Sequence, residues 1–177
     1  NAGQTCIAPD YVLVDRKIQD KFIGELLKAQ RQFGKEVTSN GKDIGRIVNA
    51  NHWKRIHNLV AQSKAELVLG GVDEADEETR FMPLTVFKNV HANDSTMGEE
   101  IFGPVLPIIP VDSIREAIDF VNARDQPLAL YMFSENKDVC EYIMKYTRSG
   151  GVVRGDMLIH FVIDALPFGG ISDSGLP

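Results

Sequence analysis

The sequence predicts an α/β fold, a three-layer αβα domain with a largely parallel sheet between its helices. Short apolar segments alternate with amphipathic helical segments along the chain, the order typical of βαβ units. The segment "LALYMF" is apolar throughout, as expected of a strand whose two faces are both covered in a parallel sheet. No linker or repeat divides the 177 residues, so we expect one domain over residues 1–177.

The first half begins with a strand and a helix. The β-branched run "YVLVD" predicts a strand, and Asp15 can cap the helix that follows. One side of that helix is apolar and carries Ile18, Phe22, Ile23, Leu26 and Leu27. A second helix repeats the pattern with Trp53, Ile56, Leu59 and Val60.

Extended segments and turns follow. "ELVLGG" predicts a strand, and the acidic "VDEADEET" predicts an exposed hairpin tip or loop. Prolines exclude a helix from "FMPLTVFKNV" and "VLPIIPV", which we therefore expect to be extended.

The second half repeats the alternation. "DSIREAIDFVNAR" predicts a helix capped by Asp112 or Ser113, with Glu116 in its first turn. "LALYMFS" predicts a strand and "NKDVCEYIMKYTRSG" a helix that ends at Gly150. "GVVRG" and "LIHFVI" predict two closing strands.

Composition excludes several classes of function. A net charge of −6 without a basic stripe disfavours nucleic-acid binding. The two cysteines and four histidines are scattered, so no metal site is predicted. No apolar run in the sequence is long enough to predict a membrane span, and "NAGQTC", which has neither a basic start nor an apolar stretch, does not predict a signal peptide. Sparse cysteine usage favours a reducing, intracellular location.

The two cysteines have different contexts. Cys140 lies on a predicted helix among apolar residues, where a free cysteine usually belongs to the core. Cys6 follows a turn that contains Gly3, and Pro9 disfavours a helix running on from it. A thiol exposed on such a loop can act as a nucleophile towards a carbonyl.

A second candidate element is "EEIFGPVLPI". Its two carboxylates indicate either a solvated acidic end before a strand or, functionally, an acceptor for ribose hydroxyls beside the ring of Phe102. "LPFGGISDSG" and "SGGVVRG" are rich in glycine, but neither lies between a strand and a helix as a phosphate-binding loop requires.

Three motifs in order resemble the aldehyde dehydrogenase superfamily. "NAGQTC" is similar to its catalytic-cysteine motif, "EEIFGPV" to its cofactor-ribose motif and "LPFGG" to a late motif of its catalytic domain. Together with "APDYVLV", "PLALYMFS" and "SGGV", they look most like the class 3, fatty-aldehyde branch.

The resemblance implies a mechanism and its residues. Cys6 would attack an aldehyde, and its backbone N–H with an Asn side chain would hold the oxyanion. Hydride would pass to NAD or NADP, and water would hydrolyse the resulting thioester. Glu100 would bind the nicotinamide ribose, with Phe102 beside it.

The resemblance implies further site residues. Phe168 matches a position that lines the substrate entrance, and Thr5 and Ile7 flank the sulfur. His52 and Arg55 fall near a helix that approaches the cofactor in relatives, although a surface role for His52 is equally compatible with its type.

The resemblance also implies the organisation of the protein. We expect a catalytic domain of a larger enzyme, whose NAD-binding domain, general-base Glu and oxyanion Asn precede Cys6, so that the chain alone has little NAD-dependent turnover. The full-length protein would be a homodimer in the cytoplasm or on the cytoplasmic face of an organelle membrane. Its substrate would be a small-molecule aldehyde, aliphatic or aromatic.

The sequence departs from the family pattern at two places. After "GGV", Gly155 stands where relatives commonly carry an Asn, although Asp156 follows as expected. Near the end, Ser172 and Pro177 replace glycines. These departures weaken the expected amide contact and the expected path of the last loop.

Two alternatives remain open. One is a non-enzymatic descendant that serves folding or subunit contact. The other is an acylating dehydrogenase or a phosphate reductase of the same superfamily, which also uses a cysteine but transfers the acyl group to coenzyme A or begins from an acyl phosphate.

Overall fold

The computed structural model describes residues 1–33 and 43–175. It divides into two compact units, Asn1–Pro110 and Val111–Pro177. A single catalytic domain over residues 1–177 stays a prediction. Of the sequence positions discussed above, Pro177 lies outside the described residues.

The first unit is built on a four-stranded sheet with the strand order β1-β4-β3-β2. Its strands are β1 (Val12–Asp15), β2 (Glu66–Leu69), β3 (Thr85–Lys88) and β4 (Val105–Val111). β3 and β4 are parallel, whereas β2 and β3 are antiparallel. The antiparallel pair follows from the connection, since the acidic segment between β2 and β3 holds no helix that could return the chain for a parallel pairing.

The described residues of this unit include the helices α1 (Gln19–Phe33) and α2 (Ala50–Gln62). Ile23 of α1 packs in one cluster with Val14, Val86 and Ile108 of the sheet. Burial of each such side chain contributes about 1.5–3 kcal/mol. Asp15 caps a 3-10 turn that leads into α1, because its carboxylate accepts a hydrogen bond from the Lys17 N–H at 2.9 Å.

The second unit contains α3 (Ile114–Asn122), β5 (Ala129–Met132), α4 (Lys137–Tyr146) and β6 (Gly151–Arg154). β5 and β6 pair in parallel. Ser113 is the cap of α3: its Oγ accepts from the Glu116 N–H at 3.1 Å, and the Glu116 carboxylate accepts from the Asp112 N–H at 2.7 Å. This reciprocal pair satisfies two N–H groups at the start of the helix.

The predicted α/β class with mostly parallel strand pairing is confirmed, although the strands lie in two sheets. Within the described residues, no helix combines the length and the apolar character needed to cross a membrane.

Two local predictions are wrong. "LIHFVI" is not a strand: Leu158 has a left-handed φ of 65°, and a 3-10 turn follows at Ile159–Val162. The helix predicted to reach Gly150 ends at Tyr146, where the Thr147 N–H and Oγ1 both donate to the Ile143 carbonyl. Gly150 instead starts the approach to β6, and its N–H donates to the Pro127 carbonyl.

Asp94 joins the end of α2 to the segment before β4. Its carboxylate accepts from the Lys64 N–H at 2.9 Å, the Ser63 Oγ at 3.1 Å, and the Thr96 N–H and Oγ1 at 3.0 and 2.8 Å. Burial alone would raise the pKa of Asp94, but these hydrogen bonds outweigh it and hold the pKa below its ordinary value.

We predict that Asp94→Ala lowers the free energy of unfolding by about 2–4 kcal/mol at pH 7, because it leaves several donors without an acceptor. A depressed pKa stabilises the fold above the ordinary Asp pKa of about 3.9 and loses that effect as the pH falls through the folded value. Urea unfolding should therefore show a gap between the two proteins that narrows below about pH 4. Exposed Asp73→Asn is the control, and an equal loss for it would contradict the assignment.

Candidate active site

The loop that carries Cys6 is a series of tight turns. The Thr5 N–H donates to the Gly3 carbonyl at 2.8 Å, and the Ala8 N–H donates to the Thr5 carbonyl at 2.9 Å. Cys6 is exposed, whereas Ile7 is 5% exposed and anchors the loop in the interior. In the part of the chain that the structure describes, the backbone N–H of Cys6 has no hydrogen-bond acceptor.

Gln4 fixes this loop to a segment far along the chain. Its Nε2 donates to the Arg46 carbonyl at 3.0 Å, and its Oε1 accepts from the Val48 N–H at 2.9 Å. An amide is one of the few side chains that can satisfy a donor and an acceptor of the same backbone segment. Gln4 therefore sets the position of the neighbouring Cys6.

A second turn, Glu99–Gly103, is held through the peptide groups of Ile101. The Ile101 N–H donates to the Asp10 carboxylate at 2.9 Å, and the Ile101 carbonyl accepts from the Arg55 guanidinium at 2.6 Å. Arg55 also donates to the Glu100 carbonyl at 3.0 Å. Since the Ile101 side chain is 1% exposed, this residue is fixed at its side chain and at both backbone groups.

The two glycines of the site allow the cysteine loop and this turn to touch. Gly3 has a φ of 71°, and a Cβ there would overlap the carbonyl of Gly103. A Cβ on Gly103 would lie 2.7 Å from Cδ1 of Ile56 on α2. The loop, the turn and the helix therefore stack with no room for a side chain at either position.

Phe102 lies between these fixed points in a strained conformation. Its φ is 50°, in the left-handed region that non-glycine residues seldom adopt. Such a conformation costs on the order of 1–3 kcal/mol and persists where the surroundings impose it. Phe102 is 37% exposed.

The two carboxylates of the turn have different surroundings. Glu99 pairs with Arg55 at 3.2 Å, while among the described residues the exposed Glu100 side chain has no hydrogen-bond or ion-pair partner. Burial raises the pKa of Asp10 above its ordinary value; the Ile101 N–H lowers it, nearby Glu100 raises it and Arg55 lowers it.

The structure brings Cys6, Arg55, Glu100 and Phe102 into one region of the first unit through these contacts. His52 is exposed one turn from Arg55, at the start of α2. Thr5 is partly buried, and its Oγ1 accepts a hydrogen bond from the Asn1 side chain. The predicted roles of Thr5 and Ile7 at the substrate, and of His52 and Arg55 at the cofactor, stay predictions.

Phe168 belongs to the second unit, where it is 46% exposed and packs near the rings of His160 and Phe161. Its neighbour Gly169 approaches Gly150 so closely that a Cβ on Gly150 would overlap the Gly169 carbonyl. Its predicted role at the substrate entrance stays a prediction.

Sequence reasoning missed Gln4 and Asp10 as members of this region. Both lie within four residues of Cys6. Asp10 ends the small and apolar run Ile7-Ala8-Pro9, and that contrast was the available signal. Their partners, however, lie 42 and 91 residues away, and spacing along the chain does not identify them.

This arrangement can support nucleophilic chemistry and hydroxyl recognition. An exposed thiol with a free N–H beside it can attack a carbonyl and stabilise the resulting oxyanion. An unpaired carboxylate and an exposed ring on a rigid turn fit the ribose and the flat heterocycle of a nicotinamide dinucleotide. Glu100 and Phe102 are therefore the described residues suited to hold part of such a cofactor.

Known proteins resemble this chain along its whole length. The family model described as "Aldehyde dehydrogenase family" matches residues 1–177. "Aldehyde dehydrogenase family 3 member A2" of Macaca fascicularis is 43% identical over 99% of the chain and 36% of its own length. "Aldehyde dehydrogenase, dimeric NADP-preferring" of Bos taurus is 42% identical over 99% of the chain and 72% of its own length.

Solved structures of aldehyde dehydrogenases are also similar to this chain. The structure titled "Substrate bound state of Staphylococcus Aureus AldH" matches 99% of this chain and 38% of its own, with 39% identity and a TM-score of 0.93. A Methanocaldococcus jannaschii glyceraldehyde-3-phosphate dehydrogenase complexed with NADP matches 99% of this chain and 38% of its own, with 28% identity and a TM-score of 0.84. The chain thus spans little more than a third of most of these relatives.

We predict that Asp10→Ala and Asp10→Asn differ in stability. Alanine leaves the Ile101 N–H without an acceptor and should lower the free energy of unfolding by about 1–3 kcal/mol, with faster amide exchange at Ile101. Asparagine keeps an acceptor oxygen and removes a buried charge, so its change should stay within about 1 kcal/mol. Equal losses in urea unfolding for both variants would contradict the role of this hydrogen bond.

We also predict that iodoacetamide alkylates Cys6 at least about tenfold faster than Cys140, because thiol reactivity requires access. Cys140 is 1% exposed. Peptide mass spectrometry at short times measures both rates in one sample, with Cys140 as the internal control. Comparable rates in the folded protein would show that the Cys6 loop does not present its sulfur.

Proposed function

We propose, from the premise that the chain belongs to the aldehyde dehydrogenase family, that it supplies the cysteine-bearing part of an NAD(P)-dependent aldehyde dehydrogenase. The observation that carries the proposal is the contact between the loop of exposed Cys6 and the turn that presents Glu100 and Phe102. Each of these elements alone has an ordinary structural explanation, and their contact joins a nucleophile to a group that can bind a cofactor.

Cys6 is proposed as the catalytic residue. Its sulfur attacks the aldehyde carbon, so that a C–S bond forms and the carbonyl oxygen gains the negative charge. The N–H of Cys6 donates to that oxygen, because it has no acceptor among the described residues. The aldehyde carbon would give up its hydrogen as hydride to a bound dinucleotide, which would leave a thioester on Cys6. Attack by water on that thioester would release the carboxylic acid and restore the thiol.

Glu100 and Phe102 are proposed to bind the nicotinamide end of NAD or NADP. When bound, the cofactor supplies the hydride acceptor for the reaction. The Glu100 carboxylate accepts hydrogen bonds from ribose hydroxyls, and Phe102 contacts the flat ring. The name of the bovine relative states a preference for NADP; for this chain we propose that either dinucleotide binds.

The proposed substrate is a small-molecule aldehyde, aliphatic, fatty or aromatic. Ile7 and Phe168 are apolar and Thr5 is small, as a pocket for such a group requires. We further propose an intracellular homodimer for the full-length protein, since the word "dimeric" stands in the name of the bovine relative.

An acylating dehydrogenase would share the attack by Cys6 and differ only in the acceptor of the acyl group. A non-enzymatic descendant would need no accessible, reactive thiol. Acylation of Cys6 therefore separates the enzymatic proposals from the non-enzymatic one.

We predict that p-nitrophenyl acetate acetylates Cys6. The thiolate attacks the ester carbon, the new C–S bond replaces the C–O bond, and p-nitrophenolate leaves. Release of p-nitrophenolate should show an early burst, and mass spectrometry should find the acetyl group on the Cys6 peptide. Cys6→Ser should abolish the burst and Cys140→Ser should preserve it. An unchanged burst in Cys6→Ser would refute the assignment.

Nucleotide recognition is tested separately. We predict that Glu100→Gln weakens saturation-transfer NMR signals from the ribose protons of NAD and NADP by about three- to tenfold, because hydrogen bonds to a charged acceptor are the stronger ones. Glu99→Gln removes the same charge one residue away and should change these signals little, since an exposed ion pair contributes little. An equal effect of both variants would favour a general charge effect over ribose binding.

A further inference from the structure

Asp10 is a carboxylate beside the candidate site that the proposed reaction does not use. It follows Cys6 by four residues and is partly buried, and burial raises its pKa above the ordinary value. Removing a carboxylate from water costs free energy unless hydrogen bonds compensate it. The hydrogen-bond partner of Asp10 therefore indicates its role.

Asp10 and Arg55 hold the same peptide group, the one that joins Glu100 to Ile101. The Asp10 carboxylate accepts from the N–H of this peptide group, on Ile101, at 2.9 Å. The Arg55 guanidinium donates to its carbonyl, on Glu100, at 3.0 Å. Because a peptide group is planar, these two hydrogen bonds fix its orientation and with it the backbone of Glu100.

The Glu100 side chain depends on this backbone for its position. It is exposed, and among the described residues its carboxylate has no hydrogen-bond or ion-pair partner. Nearby Glu100 raises the pKa of Asp10, so the two carboxylates are close enough to repel each other. Water and salt screen this repulsion, because the Glu100 side chain is exposed. The hydrogen bond to the Ile101 N–H is therefore the stronger effect of Asp10 on Glu100.

The Glu99–Gly103 turn would relax if this hydrogen bond were lost. Phe102, two residues after Glu100, has a left-handed φ of 50°, a conformation that persists where the surroundings impose it. Loss of the Asp10 carboxylate removes one of the restraints on the Glu100–Ile101 peptide group. The turn can then move towards a less strained conformation and carry the Glu100 carboxylate with it.

We propose that Asp10 is a positioning residue for the binding of a nicotinamide dinucleotide. Through the Ile101 N–H it fixes the backbone of Glu100, so that the Glu100 carboxylate meets the ribose hydroxyls. Asp10 does not touch the dinucleotide itself. The inference rests on the proposed function of Glu100 and adds a residue that lies on the segment of the cysteine. That segment therefore carries the nucleophile and also orients the residue that binds the ribose.

The test is a titration of the full chain with NAD and with NADP, followed by the saturation-transfer NMR signals of the ribose protons. Asp10→Ala leaves the Ile101 N–H without an acceptor and should raise both dissociation constants about three- to tenfold. Asp10→Asn keeps an acceptor oxygen and should stay within about twofold of the parent chain. Unchanged binding in Asp10→Ala, or equal weakening by Asp10→Ala and Asp10→Asn, would overturn the proposal.

Asp15→Ala is the control that separates positioning from stability. Asp15 also accepts a hydrogen bond from a backbone N–H, that of Lys17 at 2.9 Å, but it is the last residue of β1. Both alanine variants should lower the urea midpoint of unfolding, and only Asp10→Ala should weaken the dinucleotides. Equal weakening by Asp15→Ala would overturn the positioning role, since a general loss of stability would then explain the effect.

Asp10→Glu carries the test if Asp10→Ala does not fold. It keeps the charge and displaces the carboxylate by one methylene group, so it should weaken both dinucleotides at least about threefold. Binding equal to that of the parent chain would overturn the proposal.

Glu100→Gln separates failure of this inference from failure of the proposed function. If Glu100→Gln weakens the dinucleotides and Asp10→Ala does not, the positioning role alone is overturned. If Glu100→Gln binds like the parent chain, or the parent chain gives no saturable signal, the ribose contact itself is overturned and this inference with it.

Discussion

Two hydrogen bonds fix the backbone N–H and carbonyl of Ile101, and the geometry of the candidate site depends on them. Asp10 accepts from its N–H and Arg55 donates to its carbonyl. Because Asp10 follows Cys6 by four residues and Arg55 lies on α2, these two hydrogen bonds tie three distant segments together. They also help to hold Phe102 at its left-handed φ of 50°, because the hydrogen bond from Arg55 to the Ile101 carbonyl fixes the peptide group that precedes Phe102.

The charged side chains around the Glu99–Gly103 turn determine its net charge. One guanidinium, that of Arg55, faces the carboxylates of Asp10 and Glu99, and the carboxylate of Glu100 has no partner of its own among the described residues. The turn therefore carries excess negative charge, which suits it to accept hydrogen bonds from hydroxyl groups and not to hold phosphate. This negative charge agrees with a ribose contact at the turn.

Local sequence predicted many of the helices and strands and several residues of the candidate site, for physical reasons. Prolines marked the extended segments, Ser113 with Glu116 marked the start of a helix, and the cysteine and carboxylate motifs marked the chemistry. The strand prediction for "LIHFVI" was wrong because a short apolar run is compatible with either a strand or a turn. The left-handed backbone of Leu158, which composition does not reveal, makes it a turn. Gln4 and Asp10 could not be assigned, since their partners are fixed by tertiary packing.

The most direct measurement of the central claim is the amide spectrum of the chain before and after Cys6 is alkylated with iodoacetamide. If the sulfur and the Glu99–Gly103 turn share one site, the signals of Ile101, Phe102 and Gly103 should shift together with those of the cysteine loop, while the signals of Gln30 and Arg31 near the end of α1 stay unchanged. Shifts confined to residues 1–10 would contradict the account.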